Sequence, residues 1–350
     1  MFKYIRGSLI IAVIGLALAM GFEWYQSGST SLVLQAGLTA LILAVLEISL
    51  SFDNAVVNAT VIKKMDAVWK RRFLTWGILI AVFGMRLVFP LAIVGIIAEI
   101  NPWDALMLSL NNPAKYAEIM TSVHLTVSAF GGMFLFMVFL HFFMNEDKED
   151  HWIHVIEKPL VLVSQYKGVE IIVALLTLLS ITSLMAAPDQ IRFLIPGLWG
   201  MITYMIVHSF SDWLENMELT RDANQLSQKT MMSAGFGMFM YLEILDASFS
   251  FDGVIGAFAI TQSLVQIMIG LSIGAFFVRS LTLYLVEKDT LAQIRFLEHG
   301  AFYALGALAM FMLLGYFFHV PEWLTGLAGA VILGVSILWS FYVDRKGRNT

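Results

Sequence analysis

Leu46-Glu47-Ile48-Ser49-Leu50-Ser51-Phe52-Asp53 returns later in the chain as Leu245-Asp246-Ala247-Ser248-Phe249-Ser250-Phe251-Asp252. Five of the eight positions are identical, and Glu47/Asp246 and Leu50/Phe249 are close exchanges. Each copy lies inside a long apolar run, where a carboxylate costs about 2.5–3.5 kcal/mol on insertion scales. Two such segments therefore need a reason to exist. The correspondence extends beyond the motif. The next apolar run of each half carries one arginine, Arg86 in Phe-Gly-Met-Arg-Leu and Arg279 in Phe-Phe-Val-Arg-Ser. The run after that carries a histidine seven residues before a glycine, His124 with Gly131 and His299 with Gly306.

Around this repeat the chain is apolar from end to end. Hydrophobic residues make up 59% of the 350 positions and charged residues 13%, against about 25% charged in soluble domains. Apolar blocks of bilayer-spanning length give an all-α polytopic membrane protein of about ten spans. They lie near 7–24, 32–62, 73–99, 121–144, 169–187, 193–215, 233–262, 264–286, 296–319 and 323–343. The runs 32–62 and 233–262 exceed a straight span and predict a break, tilt or kink. With the N-terminus inside, seventeen of the 21 lysines and arginines fall in cytoplasmic segments, against Lys115 and Arg192 outside. That bias predicts both termini on the cytoplasmic side. Lys3, Arg6 and Ala17-Leu18-Ala19 also fit a cleavable signal peptide, a rival reading of the first span that leaves the rest of the topology unchanged.

By parity the two motif helices run antiparallel. That is the arrangement of inverted-repeat transporters, whose sites lie at the repeat interface. The expected organisation is an N-terminal span (1–31), a first three-helix repeat (32–144), a linker with two linking spans (145–232), a second, inverted repeat (233–319) and a final span with a basic tail (320–350). Helices outside the repeats are expected to be peripheral or linking.

Glu47, Ser51, Asn54 and Asn58 fall at i, i+4, i+7 and i+11, one polar stripe on a helix. Asp246 and Ser250 repeat its start, with Glu243 one turn before. Asp53 and Asp252 sit six residues after the first acid, about 120° round and about 9 Å along, so an unbroken helix cannot aim both acids at one ion. Either the motif unwinds or it makes two sites. Five intramembrane acids against Arg86 and Arg279 favour a cation. The oxygen-only donors suit manganese, magnesium or calcium better than zinc or copper. Carboxylates also take up protons, which makes metal–proton exchange natural.

Bland roles are expected for several residues. Arg86 and Arg279 read as counter-ions, His124 and His299 as capping or packing residues or a proton relay, and Ser49 and Ser248 as hydroxyls bonded to backbone carbonyls. In the linker 145–168, His151 and His154 stand beside four acids, Glu146, Asp147, Glu149 and Asp150. That stretch reads as a solvated loop leading to an interfacial helix, with a metal sensor or protein-docking segment as the alternative. There is no cysteine, no phosphate-binding loop and no nucleophile elbow, and the basic residues form no nucleic-acid-binding patch. The sequence therefore predicts neither an enzyme nor a nucleic-acid binder.

Glu47-Ile-Ser-Leu-Ser-Phe-Asp53-Asn54-Ala55 and Leu242-Glu243-Ile244-Leu245-Asp246-Ala-Ser-Phe-Ser-Phe-Asp252-Gly253 resemble the TerC family, tellurium-resistance integral membrane proteins. The resemblance covers roughly 32–144 and 233–318. It implies the LysE-like transporter superfamily, a bacterial inner-membrane location and manganese efflux. Carried over residue by residue, it implies Glu47, Asp53, Asn54, Glu243, Asp246 and Asp252 as metal ligands. Gly253 stands where TerC relatives commonly have serine, and ten spans exceed the usual family count. The alternative it leaves is a non-transporting scaffold or sensor in a stress-response complex.

Overall fold

The computed structural model describes residues 2–145, 151–166, 168–219, 228–288, 294–318 and 320–348. Among them every regular element is helical: α1 (Phe2–Ser27), α2 (Thr30–Leu50), α3 (Phe52–Lys64), α4 (Ala67–Arg72), α5 (Phe89–Ile97), α6 (Pro102–Asn111), α7 (Pro113–Ser122), α8 (His124–Phe143), α9 (His154–Ser164), α10 (Val169–Ser183), α11 (Ala187–Leu219), α12 (Gln228–Ile260), α13 (Leu264–Glu287), α14 (Leu297–Leu314) and α15 (Glu322–Arg348). Between α4 and α5 the chain stays helical but winds wider, as π-helix over Phe73–Gly77 and Ile80–Val88.

Eight helical stretches among the described residues are long and apolar enough to cross a membrane. They match eight of the ten expected spans. Of the other two, α10 is apolar but only 15 residues long, and α12, which carries the second motif, runs for 33. On α1 and α2, Leu9, Ile10, Val13, Ile14, Leu34, Leu38, Leu41 and Val45 are exposed. Apolar faces this continuous belong in lipid. The chain is a multi-pass membrane protein.

The opposite face of α2 carries Ala36, Ala40, Ala44 and Glu47, all buried. It packs on α13, where Gly270 and Gly274 let the backbones meet. A Cβ at Gly274 would stand 2.8 Å from the Ala44 carbonyl oxygen, and one at Gly270 would stand 3.0 Å from that of Ala40. Small residues at four-residue spacing permit such approach in lipid, where the hydrophobic effect does not drive helix association. The contact fixes Glu47 against the helix that bears Arg279.

Pairings between the halves correspond. The first-motif segment packs on α13, and α12 packs on the π-helical stretch. Likewise α3 packs on α14, α12 on α8, and α8 on α14. The terminal helices pack along the outside of this bundle. α1 lies along α13, with Ser8 donating to the Phe276 carbonyl at 2.7 Å and the Tyr4 hydroxyl donating to Glu287 at 2.6 Å. α15 packs on α2, α3 and α14 along one face, while Leu327, Val331, Val335 and Leu338 leave its other face exposed.

Linker residues 151–166 also dock on the bundle. Glu157 on α9 is fully buried. Its Oε1 accepts from the Trp152 and Ile153 amides and the Tyr303 hydroxyl, at 3.0–3.2 Å. Its Oε2 stands 3.8 Å from His151 Nδ1 and 3.6 Å from His299 Nε2. Residues 146–150, with the four acids expected beside His151, lie outside the described residues.

Candidate functional site: a polar cavity shared by the two motifs

The first motif contains a short break. α2 ends at Leu50, Ser51 takes φ −107° and ψ 15°, and α3 begins at Phe52. Hydrogen bonding continues through it, from Ser51 N–H to the Glu47 carbonyl and from Ala55 N–H to the Ser51 carbonyl. The second motif lies in the unbroken α12. Neither copy unwinds.

A cavity of about 50 Å³ opens between α2, α3, α12, α13 and the π-helical stretch. Glu47, Ser51 and Arg86 line it from the first half, and Asp246, Ser250 and Arg279 from the second. These are the residues that the repeat pairs with one another. Asn54 and Asn58 complete the polar wall. At 10–15 Å³ per water, the space takes about three to five waters.

The hydrogen bonds differ between the halves. Arg86 Nη2 pairs with Glu47 Oε1, and Nη1 donates to the Ala81 carbonyl. The π winding that brings these groups together is common at functional sites. Ser51 Oγ donates to Glu47 Oε1 at 3.2 Å. Asp246 is held from the other half: Asn54 and Asn58 donate through Nδ2 to its Oδ1, at 2.7 and 2.9 Å. In the second half, Gly253 corresponds to Asn54 and Ala257 to Asn58, so Glu47 receives no amide in return. Arg279 lies partly buried over the Phe73 ring at 4.4 Å, near Asp246 and Glu243.

An ionised carboxylate only accepts hydrogen bonds, so both amide nitrogens must face Asp246 and both amide oxygens turn elsewhere. Asn54 Oδ1, Asn58 Oδ1 and Ser250 Oγ are buried without a hydrogen-bond partner among the described residues. Both oxygens of buried Glu243 are equally unpartnered. Glu243 lies behind Gly77, which lines the cavity, and a Cβ there would stand 2.7 Å from Glu243 Oε1. Buried acceptors without partners cost free energy. Among the described residues no three His, Asp or Glu side chains already converge as a metal cage, so any cation held here would draw on amide and hydroxyl oxygens as well.

The expected six-ligand set divides. Glu47, Asn54 and Asp246 share the cavity, and Glu243 stands behind it. Asp53 is buried elsewhere, in a pocket of about 20 Å³ with Ser49, Gly253, Thr325, Gly326 and Gly329. The Asp252 side chain lies outside the described residues. Within the cavity two acids face two arginines, a closer charge balance than the whole motif set suggests. Ser248 donates to the Ile244 carbonyl at 3.0 Å, in the backbone role expected of it, whereas Ser49 lines the Asp53 pocket. His124 opens α8 and His299 packs on Glu157; neither lines the cavity. Two features had no sequence signal: the Asn side chains crossing to the other half's acid, and the contribution of α15 to the Asp53 pocket.

A family model described as a protein of unknown function, DUF475, matches residues 52–347. The chain belongs to that family. The stretch matched to DUF475 holds Asp53, Asn54, Asn58, Arg86, Asp246 and Arg279, and begins five residues after Glu47. No curated protein and no solved structure matches the chain.

Proposed function

We propose that this DUF475 protein transports a divalent metal cation across the bacterial inner membrane, with manganese as substrate, export as direction and protons as the natural counter-ion. The carrying observation is the set of buried oxygens on Asn54, Asn58 and Ser250 without a hydrogen-bond partner among the described residues, on residues lining a cavity that both motifs share. In this reading the chain has ten spans, both termini are cytoplasmic, and helices 2–4 and 7–9 form an inverted repeat. The exchanged helix pairings support that topology, and the TerC resemblance supports the substrate.

The near-neutral cavity supplies a mechanism. Arg86 and Arg279 act as resident cations while no metal is bound. An arriving ion competes with Arg86 for Glu47 and collects the amide oxygens already turned from Asp246. A space for three to five waters demands partial dehydration. Magnesium gives up water reluctantly, which favours manganese. Asp53, in its own pocket, serves as a second station.

Manganese flux in proteoliposomes tests the reading with wild type, Asp246→Asn and Asp53→Asn. Loss of flux in Asp246→Asn is expected. Equal flux in all three ends the assignment, and no flux in any of them leaves a scaffold or sensor working through 145–168.

A further inference from the structure

A separate pair of imidazoles lies where α8, α10 and α11 pack together. His141, in the last turn of α8, and His208, on α11, face each other through their Nε2 atoms at 2.9 Å. On the far side of the His141 ring, Nδ1 stands 3.6 Å from Oε2 of Glu170, in the first turn of α10. The Tyr204 ring lies against both imidazoles, at centroid distances of 6.2 and 5.5 Å, and against Phe134 on α8. The rings are thus held from three helices. None of these residues lines the cavity or the Asp53 pocket.

Two Nε2 atoms at this distance share one proton. Glu170 beside Nδ1 favours the tautomer of His141 with Nδ1–H, which leaves the lone pair on Nε2, so His208 donates. A metal ion can replace that shared proton. Metal–imidazole bonds of about 2.0–2.1 Å, at angles between about 90° and 109°, place two ring nitrogens about 2.9–3.4 Å apart. The observed separation is at the short end of that range, so movements of a few tenths of an ångström admit an ion. Glu170 also stands where metal-bound histidines find a carboxylate, on the ring nitrogen turned away from the metal.

We propose that His141 and His208 form a site for a zinc-type divalent ion, with Glu170 orienting His141 and water completing the coordination. The site is chemically distinct from the cavity. Imidazole nitrogens select zinc, nickel or copper(II), whereas the oxygen donors of the cavity suit manganese and its relatives. With two imidazole ligands among the described residues, the site is open and exchangeable. The His141 and Glu170 side chains are 42% and 31% exposed, at the end of α8 and the start of α10, so the pair is not sealed inside the bundle. Binding ties α11 to α8, and so joins a helix outside the repeats to one inside them. The assignment does not depend on what the cavity carries.

Zinc binding to the full-length chain in detergent, measured by competition with a chromophoric chelator, tests it. His208→Gln keeps an amide able to donate to His141 and removes the imidazole. It should fold as wild type does, bind one zinc fewer per chain, and lose the rise in melting temperature that zinc gives wild type. Glu170→Gln should bind the same zinc about tenfold more weakly. Copper(II) in the wild-type site should show nitrogen hyperfine structure from two imidazoles, and from one in His208→Gln. Zinc stoichiometry and affinity unchanged in His208→Gln, or two-nitrogen copper spectra in both proteins, would overturn the site.

Discussion

Asn54 Nδ2 donates to Asp246 Oδ1 at 2.7 Å, a direct bond between the two motifs. With Asn58 it gives one half of the molecule control over the acid of the other. Asn54→Leu removes a charge-assisted hydrogen bond, a loss of about 1.5–3 kcal/mol. The melting temperature in detergent should fall, and manganese affinity should fall with it, since Asn54 lines the cavity with a buried amide oxygen that has no hydrogen-bond partner among the described residues. Unchanged affinity would remove Asn54 from the ligand set.

The Glu47–Arg86 pair is buried on both sides. Removing one partner of such a pair costs about 3–5 kcal/mol, whereas replacing both with apolar groups can be close to neutral. Glu47→Gln and Arg86→Met should each destabilise the protein more than Glu47→Leu/Arg86→Met together. Arg86→Met should also bind manganese more tightly, because its resident competitor is gone. Weaker binding in that variant would count against the exchange of arginine for metal.

Gly274 lies where α13 meets the α2 backbone. Gly274→Ala places a methyl 2.8 Å from the Ala44 carbonyl oxygen, and backbone cannot turn aside. Overpacking of this kind costs about 1–3 kcal/mol. Gly334→Ala on α15, with nothing within 4 Å of the added carbon, is the control. It should be neutral, or stabilise by up to about 1 kcal/mol through helix propensity. Thermal melts of the two variants distinguish local packing from a general intolerance of alanine.

Glu157 ties the linker down through two backbone amides, a tyrosine hydroxyl and two nearby imidazoles. Glu157→Leu should leave those donors unsatisfied, at about 1–3 kcal/mol for each buried group, and release 151–166 from α14. Limited proteolysis should cut that segment faster in the variant than in wild type. Equal protection would mean that the apolar contacts of α9 hold it instead.

Much of the cavity is legible in the sequence, because helix periodicity converts spacing directly into a shared face. Glu47, Ser51, Asn54 and Asn58 are spaced to fall on one stripe, and all four line one cavity. The same arithmetic places Asp53 about 120° away, and it occupies a different pocket; two places, with only a one-residue break at Ser51, resolve the phase problem. What spacing cannot give is partnership. That Arg86 would take Glu47, while Asn54 reached Asp246, depends on winding and crossing that no periodicity encodes. Glu157 illustrates the same limit, since a glutamate in a charged linker reads as solvated until the neighbouring histidines and amides are known.

Two like halves set head to tail would offer an ion the same welcome from either face. Here both amides sit in the first half, and glycine and alanine fill their places in the second. Under the proposed transport function such a pathway would acquire a polarity, and loading and release need not run at equal speed in the two directions. Equilibrium is untouched, since a shift in it requires a differential affinity between states. In the proposed transport cycle the inequality would act as a rectifier, set by Asn54, Asn58, Gly253 and Ala257.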